Sequence, residues 1–584
     1  MRHQTESYRA GVQAPAGEGS SGSVAIDSRF LGWFMIALAT IMQLSRIVSV
    51  TAPHGELPFL SANDRSRWCA IAALTQEGRW EIDKYLEILD SKGKSKIWNT
   101  IDMVRHRGED GVEHSYSSKP PLLTLMYAAI CKPITIVCGK TLTDDPFLIG
   151  RLTMIVANLV PLVLWWLWLQ RWIERNVVDA WVRWIVLNMA LWGTFLTSFV
   201  ATLNNHLHGA ILFTISLALA WEIIQNSQRG RTTSWSVWLS VGISAALTVA
   251  CELPALAWAA ALGGILLFAD WKRMLIGFGI GSAAVALAFL GTNVWAHGDW
   301  RPPYSHRGLG PLIANVRTSP QSGANGSSEM PAVEVPAVAD VIAAIDTTVH
   351  PNLKLGEKSI VTSARIDGVK QILDEATGVR VAATQTPDGW NIYAWDDWYD
   401  YPKSYWLPEN KKGVDRGEPN RWSYLMHFTI GHHGVFSLTP LWLWSMIGGV
   451  MWVRSGSRAL AKHVADAPSA AKSFRGWVLS EQGIAAALMA VTLVCVAFYT
   501  SRDVVDRNYA GVCSGFRWLF WLIPAWLWLA VPAIEGSAKS RALRSLVYVA
   551  LGISVLSATL PWPNPWSHPW PYRLLMWMYP ATYQ

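Results

Sequence analysis

The sequence predicts an all-α polytopic membrane protein that carries a juxtamembrane helical loop and a small insert outside the membrane. Of its 584 residues, 51% are hydrophobic and only 16% are charged, whereas soluble domains carry roughly 25% charged residues. Tryptophan is abundant, at 35 residues, and its amphipathic ring suits a membrane interface. Long apolar runs recur along the chain. The composition therefore disfavours a soluble enzyme and a disordered chain.

Eleven apolar runs approach about 20 residues, the length that crosses a bilayer as a helix. They cover residues 30–50, 147–169, 180–202, 206–224, 235–251, 256–269, 274–295, 435–453, 483–499, 516–534 and 546–560. The connections that hold clustered Lys and Arg fall on one side of this arrangement, and such loops face the cytoplasm. The pattern predicts one cytoplasmic face and one outer face.

One further apolar segment, residues 120–138, decides the topology. The basic connections share a face when this segment lies in or dips into the outer interface. The alternative is that it crosses the membrane and another run does not. The first arrangement predicts a disordered cytoplasmic tail at 1–27, a membrane module at 28–296 with an outer loop at 51–146, an outer insert at 297–427, membrane helices at 428–560 and an outer tail at 561–584.

The insert is predicted to be a small mixed α/β or β-rich domain, because two β-prone runs flank Pro387, Asp388 and Gly389. The adjacent His432 and His433 do not predict a metal site, since neighbouring residues on a helix project about 100° apart. No metal or other cofactor is therefore expected. In a membrane chain the location of Lys and Arg matters more than their sum, so the net charge of +7 does not indicate nucleic-acid binding. No nucleic-acid partner is expected.

The first outer loop contains the candidate catalytic residue. Trp68 and Ile71 recur at helical spacing and predict an amphipathic helix that begins near Asp64. Asp64 is interpreted either as the N-cap of this helix or as a general base at the membrane mouth. Arg67, on the same helix, is a candidate substrate-binding residue.

Two cations are candidates for binding a phosphate. Lys119 precedes two prolines and either binds a phosphate as a point charge or snorkels toward water. Arg517 opens a span and either grips a phosphate through two parallel hydrogen bonds or anchors the span at the interface. Their neighbours Tyr116 and Tyr509 are candidate substrate-binding residues.

The connection TLNNHLHG is unusually polar for a link between two apolar runs. Asn205 and His206 within it either contact substrate or satisfy exposed backbone groups at a tight turn. The glycines at 277–281 lie inside a predicted span. They indicate helix packing rather than nucleotide binding.

These motifs together resemble the polytopic glycosyltransferases of GT-C fold, especially the aminoarabinose transferase and protein O-mannosyltransferase group (glycosyltransferase families 39 and 83). Asp64 matches the acid that opens the outer-loop helix in that group, while Arg65 stands where its relatives carry Glu. The stretch at 119–122, Lys-Pro-Pro-Leu, matches the group residue for residue. The stretch at 508–519 resembles its glycine-rich loop and following Arg, with two departures.

The resemblance implies an inverting hexosyl or pentosyl transferase of the bacterial inner membrane. It would move a sugar from a polyprenyl-phosphate donor to a lipid, glycan or protein acceptor at the extracytoplasmic face, with membrane lipid around it. Asp64 would act as the base, and Lys119 and Arg517 would hold the phosphate. The alternatives are a non-catalytic scaffold and a lipid transporter or flippase, although few ionisable residues lie within the predicted spans.

Overall fold

The computed structural model describes residues 28–317, 335–350, 353–364, 368–466 and 470–580. The predicted tail at 1–27 lies outside this range. Each of the eleven predicted runs overlaps a helix. The helices are Ser28–Ser49, Ala62–Gln76, Asp83–Leu86, Pro121–Cys138, Pro146–Met154, Val160–Asn176, Ala180–Trp192, Phe195–Ser198, His206–Gln228, Trp235–Cys251, Leu256–Arg273, Gly279–His297, Val338–Ala344, Arg421–Thr429, Val435–Leu438, Trp442–Asp466, Ala470–Val478, Glu481–Ser501, Ile523–Ser537, Arg541–Thr559 and Trp570–Met578.

Shorter helical turns of other types extend or join these helices. Two are π-helical, Ile155–Leu159 and Met274–Phe278, and the others are the 3-10 turns Leu253–Ala255, Pro303–Ser305, Gly413–Arg416, Val504–Asp506 and Arg517–Leu522. The predicted run 180–202 is too long, because the helix ends at Trp192. The short helix Phe195–Ser198 follows it, after Thr194 adopts an extended backbone.

The chain is an integral membrane protein by the length and composition of its helices, and the number of its spans stays a prediction. Among the described residues, eight helical runs are long and apolar enough to cross a membrane: Arg29–Ser49, Pro121–Cys138, Pro146–Asn176, His206–Gln228, Leu253–His297, Glu481–Ser501, Arg517–Ser537 and Arg541–Thr559. Residues 120–138 therefore qualify as a span on length and composition. Their placement in the outer interface stays a prediction.

The longest of these runs is divided at Asp270. The backbone there is extended (φ −159°, ψ 101°), so Leu256–Arg273 ends in a kink, at the boundary between the predicted runs 256–269 and 274–295. The helix Gly279–His297 then packs against Trp235–Cys251. A Cβ on Gly281 would lie 2.3 Å from the Leu239 carbonyl oxygen. The glycines at 277–281 thus permit close helix packing, as predicted.

The helix of the first loop, Ala62–Gln76, is buried on almost every side rather than amphipathic. Its N-cap is Ser61, whose side chain accepts a hydrogen bond from the Asp64 backbone N–H. Trp68 is fully buried and stacks on Phe59 with ring centroids 4.6 Å apart. Apolar spacing predicted the helix, but the neighbouring segments that cover its second face are distant in sequence.

The first loop contains a hairpin of β1 Met103–Arg107 and β2 Glu113–Ser117, and the strands of the insert are β3 Arg307–Arg317, β4 Ile360–Ser363, β5 Val369–Leu373, β6 Arg380–Thr386 and β7 Gly389–Asp397. The five strands of the insert form one antiparallel sheet in the order β3-β7-β6-β5-β4. The predicted hairpin is confirmed, because β6 and β7 pair from Thr386 and Gly389 outward. The sheet has its own hydrophobic cluster.

Candidate active site

Segments that the sequence placed on the outer face line one cavity of about 1410 Å³. The first loop, the polar connection after the third predicted span, the insert, the late loop and the C-terminal tail all contribute to its wall. Its charged and amide lining residues are Asn63, Arg65, Arg67, Asp102, Lys119, Asn205, Glu252, Arg307, Asp415, Arg502, Asp506, Asn508 and Arg517. His206 also lines it.

The opposite part of the cavity is apolar. Helices Leu256–Arg273 and Gly279–His297 form most of this groove, and Phe498 and Trp518 add to it. The two helices contribute Leu256, Ala259, Ala260, Gly263, Gly264, Leu267, Val285, Ala286, Phe289 and Leu290. A single cavity thus joins a charged chamber to an apolar groove between membrane helices, which is the shape that an amphiphilic ligand requires.

Of the cations that line the charged chamber, Arg67, Lys119 and Arg517 come from three separate segments. Lys119 has a side chain only 18% exposed, and its Nζ lies 3.2 Å from Asp102 Oδ2. Burial lowers the pKa of Lys119 to about 8, although the neighbouring Asp102 acts in the opposite direction. Arg67 and Arg517 lie close enough to Lys119 to lower that pKa further by charge repulsion. Such a concentration of like charge favours binding of an anion.

The two arginines are held by neutral acceptors. Arg67 is 4% exposed and donates from Nη2 to Asn205 Oδ1 at 3.0 Å. Arg517 donates from Nε to the Ala510 carbonyl at 2.9 Å and lies 4.9 Å from the ring centroid of Trp566. In the part of the chain that the structure describes, neither guanidinium has a carboxylate within 4.0 Å. Their charge is therefore available to a ligand phosphate.

Asn205, His206 and Glu252 connect these cations. The Asn205 amide donates to Glu252 Oε1 at 2.8 Å, and its own oxygen accepts from Arg67. Arg517 Nη1 donates to His206 Nε2 at 3.1 Å. Because arginine is only a donor, His206 Nε2 must be the acceptor and Nδ1 must carry the proton. That Nδ1–H donates to Glu252 Oε1.

Asp64 lies behind the cavity wall. Its carboxylate is fully buried and does not line the cavity. It accepts hydrogen bonds from the Leu60 and Leu203 backbone N–H groups at 3.1 and 2.9 Å and from Trp68 Nε1 at 3.0 Å. Burial raises the pKa of Asp64 to about 6, against the effect of the two backbone bonds. The N-cap interpretation is wrong, because Ser61 is the cap.

The predicted tyrosines also lie outside the lining. Tyr116 is 2% exposed and stacks on His106 with ring centroids 4.0 Å apart. Tyr509 is 3% exposed, donates its hydroxyl to Glu418 Oε2 at 3.0 Å and stacks on His433. Both tyrosines therefore pack the wall instead of facing the cavity. Among the predicted site residues, Arg67, Lys119, Asn205, His206 and Arg517 do line it.

Sequence reasoning did not select Glu252 or Asp102 as site residues. Glu252 stands in a short turn between two predicted spans on the predicted outer face, and an isolated carboxylate there is a signal of function. Asp102 carries no comparable signal, because it lies in an irregular loop. No group of three or more His, Cys, Asp or Glu that could hold a metal occurs among the residues described by the structure.

The fold and the cavity define a polytopic membrane protein whose binding site combines apolar walls with a cluster of cations. No protein-family profile matches the chain, and no curated protein matches it. Among solved structures, the chain is similar to the archaeal oligosaccharyltransferase AglB from Archaeoglobus fulgidus in complex with an inhibitory peptide and a dolichol-phosphate. The identity is 12% and the TM-score 0.42, over 95% of this chain and 58% of that one. The chain thus spans just over half the length of AglB.

Proposed function

We propose that this protein is an integral-membrane glycosyltransferase that transfers a sugar from a polyprenyl-phosphate donor to an acceptor at the outer membrane face. The observation that carries the proposal is a single cavity lined both by apolar side chains of two membrane helices and by Arg67, Lys119 and Arg517. A polyprenyl phosphate has the same division. Its isoprenoid chain would lie in the groove, and its phosphate would meet the cations.

The cations suit the chemistry as well as the binding. Transfer of the sugar leaves a second negative charge on the phosphate, so charge develops where the three side chains converge. Cations already fixed at that position stabilise the transition state more than the ground state. Arg67 and Arg517 are held by hydrogen bonds to neutral groups, so little rearrangement is needed when the phosphate charge grows.

The insert supplies a wall for the sugar and its acceptor. It contributes Tyr304, Arg307, Tyr399, Tyr405 and Trp406 to the cavity. Aromatic rings and hydrogen-bonding groups together suit a polar, ring-shaped ligand. A lipid, glycan or protein acceptor would enter from this side in our proposal, and the enzyme would lie in the bacterial inner membrane with this chamber outside.

The test is binding and transfer by purified protein in lipid nanodiscs. We expect polyprenyl phosphate to bind and the matching unphosphorylated polyprenol to bind at least tenfold more weakly. Lys119→Ala and Arg517→Ala should each weaken phosphate binding about tenfold or more. Lys358→Ala removes a cation that is exposed on the insert and should leave binding unchanged. Equal binding of both lipids would overturn the phosphate assignment.

Transfer is measured with a panel of labelled polyprenyl-phosphate sugars and with membrane extract as the acceptor source. Turnover of one donor, lost in Lys119→Ala and Arg517→Ala but kept in Lys358→Ala, supports a transferase. Binding of polyprenyl phosphate with no turnover of any donor, together with movement of the lipid between leaflets, would replace the transferase by a lipid flippase.

A further inference from the structure

We infer that Glu252, rather than Asp64, is the general base that activates the acceptor. The inference rests on the proposed function and names a catalytic residue within it. A base must reach the acceptor's proton. Asp64 is buried behind the wall with three N–H donors on its oxygens. Glu252 lines the cavity itself.

The two oxygens of Glu252 have different surroundings. Oε1 accepts from the Asn205 amide and from His206. Oε2 has no hydrogen-bond partner among the described residues, and it keeps some accessible surface. One oxygen is thus held in place while the other is open to the cavity. This is the arrangement that a positioned base requires.

Glu252 also differs from Asp102 and Asp506 in the charge of the side chains that contact it. Asp102 is paired with Lys119, and Asp506 is paired with Arg307 and Arg502. Both of these carboxylates are thus already engaged by cations of the cavity wall.

The partners of Glu252 are neutral. They are an amide and an imidazole whose second nitrogen accepts from Arg517. Asp415, the remaining acid of the lining, accepts the Tyr405 hydroxyl proton in a hydrogen bond of 2.7 Å.

The position of Glu252 relative to the phosphate-binding cations suits a displacement. One side chain separates it from each arginine: Asn205 lies between Glu252 and Arg67, and His206 lies between Glu252 and Arg517. Base and leaving phosphate are therefore near each other but not in contact, which leaves room for the anomeric carbon between them.

In the reaction, Glu252 Oε2 takes the proton of the acceptor O–H or N–H group. The acceptor atom forms a bond to the anomeric carbon while the bond from that carbon to the phosphate oxygen breaks. The electron pair of the broken bond stays on the phosphate, and polyprenyl phosphate leaves between Arg67, Lys119 and Arg517. A single displacement inverts the configuration at the anomeric carbon.

The test uses water as the acceptor, so it does not depend on the natural one. The full-length protein in nanodiscs is given the polyprenyl-phosphate sugar that wild type hydrolyses fastest. Glu252→Gln is the matched variant, because its amide oxygen can still accept from Asn205 and His206 while an NH2 group replaces Oε2. We expect hydrolysis to fall at least 100-fold and polyprenyl phosphate binding to stay within about twofold of wild type.

Azide separates a base from a structural residue. Azide attacks the anomeric carbon without losing a proton, so it should restore turnover of Glu252→Gln by at least tenfold and yield a glycosyl azide of inverted configuration. Glu357→Gln, an exposed change on the insert, is the control for handling and should match wild type.

Hydrolysis by Glu252→Gln within threefold of wild type would overturn the assignment and leave the transferase standing. A loss that azide does not restore would make Glu252 structural. A wild type that neither hydrolyses nor transfers sugar from any donor would overturn the proposed function and this inference together.

Discussion

Raising the pH should weaken phosphate binding through the deprotonation of Lys119. Its pKa is lowered to about 8 by burial and by repulsion from Arg67 and Arg517. A lysine normally keeps its charge to about pH 10. The ammonium group is one of the three cations that we propose hold the phosphate, so its loss in mildly alkaline solution removes a third of the charge that these three carry.

The size of the effect follows from the titration. With a pKa of about 8, Lys119 is roughly 90% charged at pH 7 and roughly 10% charged at pH 9. If the charged form alone holds the phosphate, affinity falls about tenfold for each pH unit above 8. One such unit corresponds to ~1.4 kcal/mol. The sign is fixed: a lowered lysine pKa means that binding is strong below pH 8 and is lost as the pH rises through it.

The assay is binding of polyprenyl phosphate in nanodiscs between pH 7 and 9.5. A phosphate monoester has its second pKa at about 6, so the lipid phosphate keeps its second negative charge between pH 7 and 9.5. Lys119→Arg is the matched variant, because a guanidinium stays charged above pH 12. We expect the alkaline loss in wild type and a flat profile in the variant. Parallel profiles for the two proteins would refute the role given to Lys119.

Two further predictions concern the walls of the cavity. Asp64→Asn should lower the free energy of unfolding by about 2 kcal/mol, because one carboxylate oxygen becomes an NH2 group that faces N–H donors. Thermal unfolding in detergent measures this change. Lost sugar transfer in a variant as stable as wild type would instead favour a catalytic Asp64. Gly281→Ala should lower the unfolding temperature, since its Cβ would meet the Leu239 carbonyl at 2.3 Å. Gly291→Ala, with open space around its Cβ, should not, and equal temperatures for the two would contradict the packing argument.

Several features were predictable because they depend on local sequence. Apolar length placed the helices, including Trp235–Cys251 at its observed bounds. Alternating β-prone residues around a tight turn placed the β6–β7 hairpin. The polar residues Asn205 and His206, which stand out inside an apolar region, line the cavity, and their contact with substrate stays a prediction.

The features that sequence reasoning missed depend on contacts between distant segments. Asp64 lies in the first turn of a helix that was expected to expose one face, but its carboxylate accepts a hydrogen bond from the backbone of Leu203, far along the chain. The direction of the Tyr509 side chain follows from its positive φ of 55°, which spacing alone does not indicate. Glu252 gains its setting from His206 and Asn205, and no motif joins these three residues.

The composition of the cavity wall has a consequence for how the protein is made. Lys119 in the first loop and Trp566 in the tail line the same cavity, and Trp566 packs on Arg517. The wall that holds Lys119 is therefore translated well before the wall that holds Trp566. In our proposal, a chain that has not yet reached Trp566 has an incomplete site and would not hold the lipid donor.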